Sequence, residues 1–129
     1  MSDWPSRFEA NKAAATLLVL FIPSVDRWAE PIAQDFWVEE ALGVLGRCFG
    51  GATAFPQGRG VWRDDARRGK LIYDEPVIIQ CYTSEEALDE HCEELHSLLL
   101  RLGIDGQQGA VGFVVDRDYL EITFPLKET

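Results

Sequence analysis

Five of the twelve basic residues, Arg59, Arg63, Arg67, Arg68 and Lys70, lie in one segment, FGGATAFPQGRGVWRDDARRGK (49–70), of a chain whose formal charge is −10. Glycines let backbone N–H groups approach an anion closely, and a guanidinium can clamp a carboxylate or phosphate through two parallel hydrogen bonds. Arg59, Gly60, Trp62, Arg63 and Glu75 are therefore the candidate ligand-binding residues. In an enzyme, Arg59 and Arg63 would hold an anionic substrate and Glu75 or Asp65 would act as base. The segment lacks GxxxxGK[ST], and it is not a GxGxxG opening a helix, so it matches neither common nucleotide-binding loop. The same residues also read as a structured turn with Trp62 packed on a sheet edge.

Other donor sets are weaker. Asp64, Asp65, Asp74 and Glu75 could supply oxygen ligands, but their order is not that of a calcium loop, and the flanking arginines make a self-neutralising segment the simpler reading. Asp26 and Asp65 are the carboxylates that a metal-dependent nuclease would use. His91 and His96 are five residues apart and do not share a helix face; Cys92 and His96 could, but Cys92 falls on a leucine stripe and is expected in the core. No residue orients a Cys–His nucleophilic pair. No catalytic residue, metal ligand or cofactor is assigned.

These residues need a scaffold, and 129 residues suffice for one domain with a real core. Residues 1–14 read as a flexible or docking tail. ATLLVLFI (15–22) suits a strand covered on both faces, ended by Pro23. VDRWAEP is a loop. A helix follows, with Asp35 as N-cap, Val38, Ala41, Leu42 and Leu45 at helical spacing, and Gly50 as a left-handed stop. Gly43 and Gly46 inside it imply close packing against a sheet. ATAF (52–55), GVW (60–62) and LIY (71–73) look extended, and PVIIQCY (76–82) is a strand. A second helix has capping-box spacing at Thr83 and Glu86, an apolar stripe of Leu88, Cys92, Leu95, Leu99 and Leu102, an acidic opposite face, and Gly103 as its end. AVGFVV (110–115) and YLEITF (119–124) form a terminal hairpin turning at Asp116–Asp118.

That order predicts the α+β class: a ferredoxin-like split βαβ sandwich, an antiparallel sheet with two helices on one face and an extra C-terminal strand. The central strands are apolar throughout, so the second sheet face is expected to be covered.

At Phe49, Gly50, Gly51, Thr53, Gly60, Trp62, Arg63, Glu75 and Pro76 the chain resembles a family of small uncharacterised bacterial proteins with an FGGxTA…GxWR motif. The resemblance spans about residues 15–124. It implies a ferredoxin-like fold and carries over no catalytic role.

An acidic surface disfavours phosphate contacts, so nucleic acid is not expected as a partner. ATLLVLFI is too short to span a membrane, Asp3 and Glu9 spoil a positive leader, and three cysteines without a CxxC pair read as reduced, mostly buried thiols. A cytoplasmic location is expected. Four tryptophans are many for this length: Trp4 and Trp28 read as exposed or docked on a partner, Trp37 and Trp62 as core. The favoured expectation is a non-enzymatic interaction or regulatory module that forms a homodimer or docks on a protein partner through its sheet face, for instance as an accessory subunit in a bacterial defence or toxin–antitoxin system. The alternatives are a small enzyme or ligand-binding domain with an anion pocket at the Gly/Arg-rich loop, and a metal-dependent nuclease of the same fold.

Overall fold

The computed structural model describes residues 3–126. After a single exposed turn, α1 (Trp4–Arg7), the elements are β1 (Thr16–Ile22), α2 (Gln34–Phe49), β2 (Thr53–Phe55), β3 (Gly60–Asp64), β4 (Lys70–Asp74), β5 (Val77–Thr83), α3 (Glu85–Glu90), α4 (Cys92–Asp105), β6 (Ala110–Val115) and β7 (Asp118–Thr123). Five strands form one sheet in the order β2-β5-β1-β6-β7, and β3 and β4 form a separate two-stranded hairpin. Every pairing is antiparallel. Without the hairpin and β7, this is the ferredoxin-like split βαβ sandwich expected from the element order.

The period of two along a strand decides which side chains meet the helices. In β1, Leu18, Leu20 and Ile22 are at most 1% exposed, and they sit in the core with Ile79 and Cys81 of β5. Leu20 pairs with Ile79 on one side and Phe113 on the other. Trp37, Ala41 and Leu45 of α2 and Leu95, Leu98, Leu99 and Leu102 of α4 complete this layer. Leu17, Val19 and Phe21 alternate to the opposite, helix-free face.

Several local expectations give way to tertiary packing. Ala33, not Asp35, is the N-cap of α2; Asp35 lies in the first turn, where its charge meets the positive helix end. The helix start is held instead by the buried Gln34 side chain, which donates to the carbonyls of Ile22 and Glu75. Gly50 does stop α2 in the left-handed region, at φ 93°. Gly43 and Gly46 are not sheet contacts: a side chain at Gly46 would meet nothing, and one at Gly43 would meet only the Arg47 side chain.

The second helix is two helices. Its cap is Ser84, whose hydroxyl accepts from the Ala87 amide; Thr83 closes β5. The helix breaks at His91, so Cys92 is exposed rather than core, and the buried stripe shifts to Leu95, Leu98, Leu99 and Leu102. Of the other thiols, Cys81 is buried and Cys48 half-buried. Gly103 does not end α4, which runs on to Asp105. It is glycine because Phe124 lies on it: a Cβ there would stand 2.0 Å from Phe124 Cζ. Among the described residues no helix is long and apolar enough to cross a membrane.

Candidate functional site

The β3–β4 hairpin leaves the sheet between β2 and β5 and reaches over one end of the helix-free face. Its own pairing sets Trp62 opposite Ile72, so both stand on the same side of the hairpin. Ile72 is 1% exposed, whereas Trp62 remains 37% exposed and forms the roof of a cleft of about 170 Å³. Phe21 of β1, Ala110 and Gly112 of β6, and Tyr119 and Glu121 of β7 line it from the sheet, together with Asp74 of β4 and the buried Gln108. Part of the second face is therefore covered by the chain itself. Phe55, Tyr82 and Tyr119 on that face stay exposed.

The floor is made of small residues for a reason. Gly112 pairs with Glu121, and the Tyr119 side chain crosses above it; a Cβ at 112 would stand 2.0 Å from Tyr119 Oη. Tyr119 donates to Glu121 Oε2 at 3.3 Å. Although much of the ring is exposed, partial desolvation of the phenol, aided by the adjacent Glu121 charge and its hydrogen bond, pushes Tyr119 above its ordinary range.

Asp74 is fixed by Ser24, whose amide and hydroxyl both donate to Asp74 Oδ1 at 2.7 Å. The Ser24 hydroxyl accepts in turn from the Glu75 amide. This knot ties the loop after β1 to the β4–β5 connection. It leaves Asp74 Oδ2 without a hydrogen-bond partner among the described residues. Asp74 also lines a second cleft, of about 310 Å³, with Ser24, Val25, Arg59, Gly60, Tyr73 and Glu75. The two clefts meet at this carboxylate.

Of the residues singled out from sequence, Arg59, Gly60 and Glu75 thus come together in one cleft and Trp62 belongs to its neighbour. Arg63 lines neither; it points to solvent and pairs with Asp65 at 2.6 Å, not with Glu75. Arg67 is the less exposed of the two, paired with Asp64 and lying over Trp28. The nuclease carboxylates do not converge: Asp26 accepts from the amides of Trp28 and Glu30 in a local turn, while Asp65 is taken by Arg63. Phe21, Tyr119 and Glu121 were missed. They alternate with core residues along ordinary strands, and only the period-two phase, counted from Leu20 and Ile122, could have placed them on the outer face.

The chemistry of the first cleft is aromatic and acidic. Phe21, Trp62 and Tyr119 offer ring faces, Asp74 and Glu121 offer carboxylates, and among the described residues no Lys, Arg or His lines it. Such a cleft favours a planar ring and a positive charge, by stacking and by cation–π attraction. Of the two arginines expected to clamp an anion, only Arg59 lines a cleft, the second one, and it shares that cleft with the carboxylates Asp74 and Glu75.

No protein-family model matches the chain, and no curated protein matches it. Among solved structures it is similar to a phage SAM lyase in complex with S-methyl-5'-thioadenosine, with a TM-score of 0.66 and 18% identity over 91% of this chain and 95% of that one. The apo state of a phage SAM lyase matches with a TM-score of 0.63, at the same identity and coverage. At this identity the likeness is one of fold. It nevertheless overturns the expectation of a non-enzymatic interaction module, because the fold is shared over 91% of this chain with an enzyme whose structure holds a small ligand.

Proposed function

We propose that this chain is a small-molecule lyase acting on S-adenosylmethionine, with the hairpin-roofed cleft as its site. The observation that carries the reading is the aromatic and acidic character of that cleft, in a fold matched over 91% of the chain by a phage SAM lyase. S-adenosylmethionine combines a planar base, a sulfonium cation, an ammonium group and a carboxylate. The rings of Trp62, Phe21 and Tyr119 suit the base and the sulfonium. The free oxygen of Asp74 suits the hydroxyl and ammonium donors of the ligand. Arg59, in the adjoining cleft, suits its carboxylate.

The reaction needs little from the protein. When the substrate's own carboxylate oxygen attacks the carbon attached to sulfur at the end of the amino-acid arm, a C–O bond forms and the C–S bond breaks. The bonding pair leaves on sulfur, giving neutral S-methyl-5'-thioadenosine and a lactone. No external base, nucleophile or water enters. The step brings opposite charges together and cancels them, so a cleft that excludes water and holds the arm folded back favours it. Chain residues thus bind, orient and desolvate.

The purified chain incubated with S-adenosylmethionine is expected to release S-methyl-5'-thioadenosine, detected by chromatography. Trp62→Ala is expected to lower kcat/KM by about tenfold or more, corresponding to about 1.4 kcal/mol of transition-state binding. Absence of product at high protein concentration, together with no binding of S-methyl-5'-thioadenosine by calorimetry, would overturn the reading.

A further inference from the structure

On the other side of the molecule, away from the cleft, three unlike metal-ligating side chains converge. Cys48 lies in the last turn of α2, His91 occupies the break between α3 and α4, and Glu94 lies in the first turn of α4. Cys48 Sγ stands 3.5 Å from Glu94 Oε2, and His91 Nδ1 stands 2.7 Å from the same oxygen. All three donor atoms lie within 4.8 Å of one another. We propose that Cys48, His91 and Glu94 form a binding site for a borderline-soft divalent cation of the zinc class.

The donor set argues for that class. Thiolate, imidazole and carboxylate together suit zinc, whereas magnesium and calcium take oxygen ligands. With both acids ionised, the two negative charges match one divalent ion. Tetrahedral zinc, about 2.3 Å from sulfur and about 2.1 Å from nitrogen and oxygen, separates its ligand atoms by roughly 3.5 Å. The sulfur–oxygen pair already has that spacing. The nitrogen–oxygen pair must open by less than about 1 Å, within the reach of a rotation of the exposed Glu94 side chain.

The imidazole is oriented. The Phe49 ring meets it edge to face, at 5.8 Å between centroids and 87° between planes. The break at His91 keeps its backbone in the helical hydrogen-bond ladder, donating to Ala87 and accepting from Leu95, so the ring is held without a loop. Ligand orientation of this kind supports affinity. Three protein donors leave a fourth position for water or a small anion. Cys48 and Glu94 also line an adjoining cleft of about 380 Å³ that carries Arg47 and Arg101.

The site is tested on the full chain without a tag, using cobalt and zinc ions alone. Cobalt is expected to give a thiolate-to-metal charge-transfer band, and zinc is expected to displace it at a single equivalent. Cys48→Ser should abolish the band. Glu94→Gln should weaken zinc binding by about tenfold or more, the loss expected when a metal site is disturbed, while unfolding of the metal-free chain stays unchanged because Glu94 is exposed. Cys92→Ser, which alters the neighbouring exposed thiol, should leave the band intact. No band, a band that survives Cys48→Ser, or one lost in Cys92→Ser would overturn the site.

Discussion

The two faces of the central sheet share the same strands and differ in almost everything else. On one, Leu18, Leu20, Ile22 and Ile79 are sealed under α2 and α4. On the other, their immediate neighbours Phe21 and Ile78 are only partly covered, and Tyr82 is exposed. The first face is closed by elements that the chain must form in order to fold. The second is roofed at one end by an inserted hairpin that pairs with no strand of the main sheet. Stability is thus concentrated on one side of a single layer of backbone, and ligand chemistry on the other.

Substitutions can sharpen or break that division. The largest effect is expected at Leu99, 3% exposed in α4. Leu99→Ala should cost about 2–5 kcal/mol in denaturant titration, through lost burial and a residual cavity. Gly103→Ala should cost about 1–3 kcal/mol, since a methyl group there collides with the Phe124 ring. A double-mutant cycle with Phe124→Leu should recover part of this loss, and full additivity would show that the collision is not its cause.

On the other face the readout changes. Gly112→Ala should displace the exposed Tyr119 side chain and weaken binding of S-methyl-5'-thioadenosine, with a smaller loss of stability than Gly103→Ala. Equal losses at the two glycines would mean that the faces are not energetically distinct. The smallest effect is expected for Arg63→Ala. Its pair with Asp65 is solvated on both sides, so the denaturation midpoint should not move beyond experimental error.

The helix-covered face was legible because its signals are periodic and local: the apolar run of β1, the spacing of Ala41 and Leu45, and the leucines of α4. Terminal details were less so. Ser84 took the cap from Thr83 because Thr83 completes the pairing of β5 with Thr16. Gly103 looked like a helix stop, since nothing local announces that Phe124 will lie across it. The cleft was half legible. Composition drew attention to Arg59, Gly60, Trp62 and Glu75, but not to which of them point inward. Arg63 shows the difference, as strand alternation turns it away from the side that carries Trp62. Cys48 and Glu94 are 46 residues apart, and no spacing rule reaches that far; the packing of α2 on α4 brings them together.

The base of the hairpin is narrow. Phe55 pairs with Ile78, and the Gly58 amide donates to the Pro76 carbonyl, so the chain departs and returns at almost the same point. Residues 56–76 are therefore a detour that cuts no rung of the main ladder. Its ties to the rest of the molecule gather at its returning end, where Asp74 is held by Ser24 and the Glu75 carbonyl by Gln34 of α2, so an exchange that spares residues 74–76 leaves those anchors in place. An insertion attached in this way can be lengthened or exchanged toward its tip while the layer between sheet and helices keeps its packing. Descendants of one such scaffold could thus change what they recognise by trading a single cassette, leaving everything beneath it to drift only as fast as packing allows.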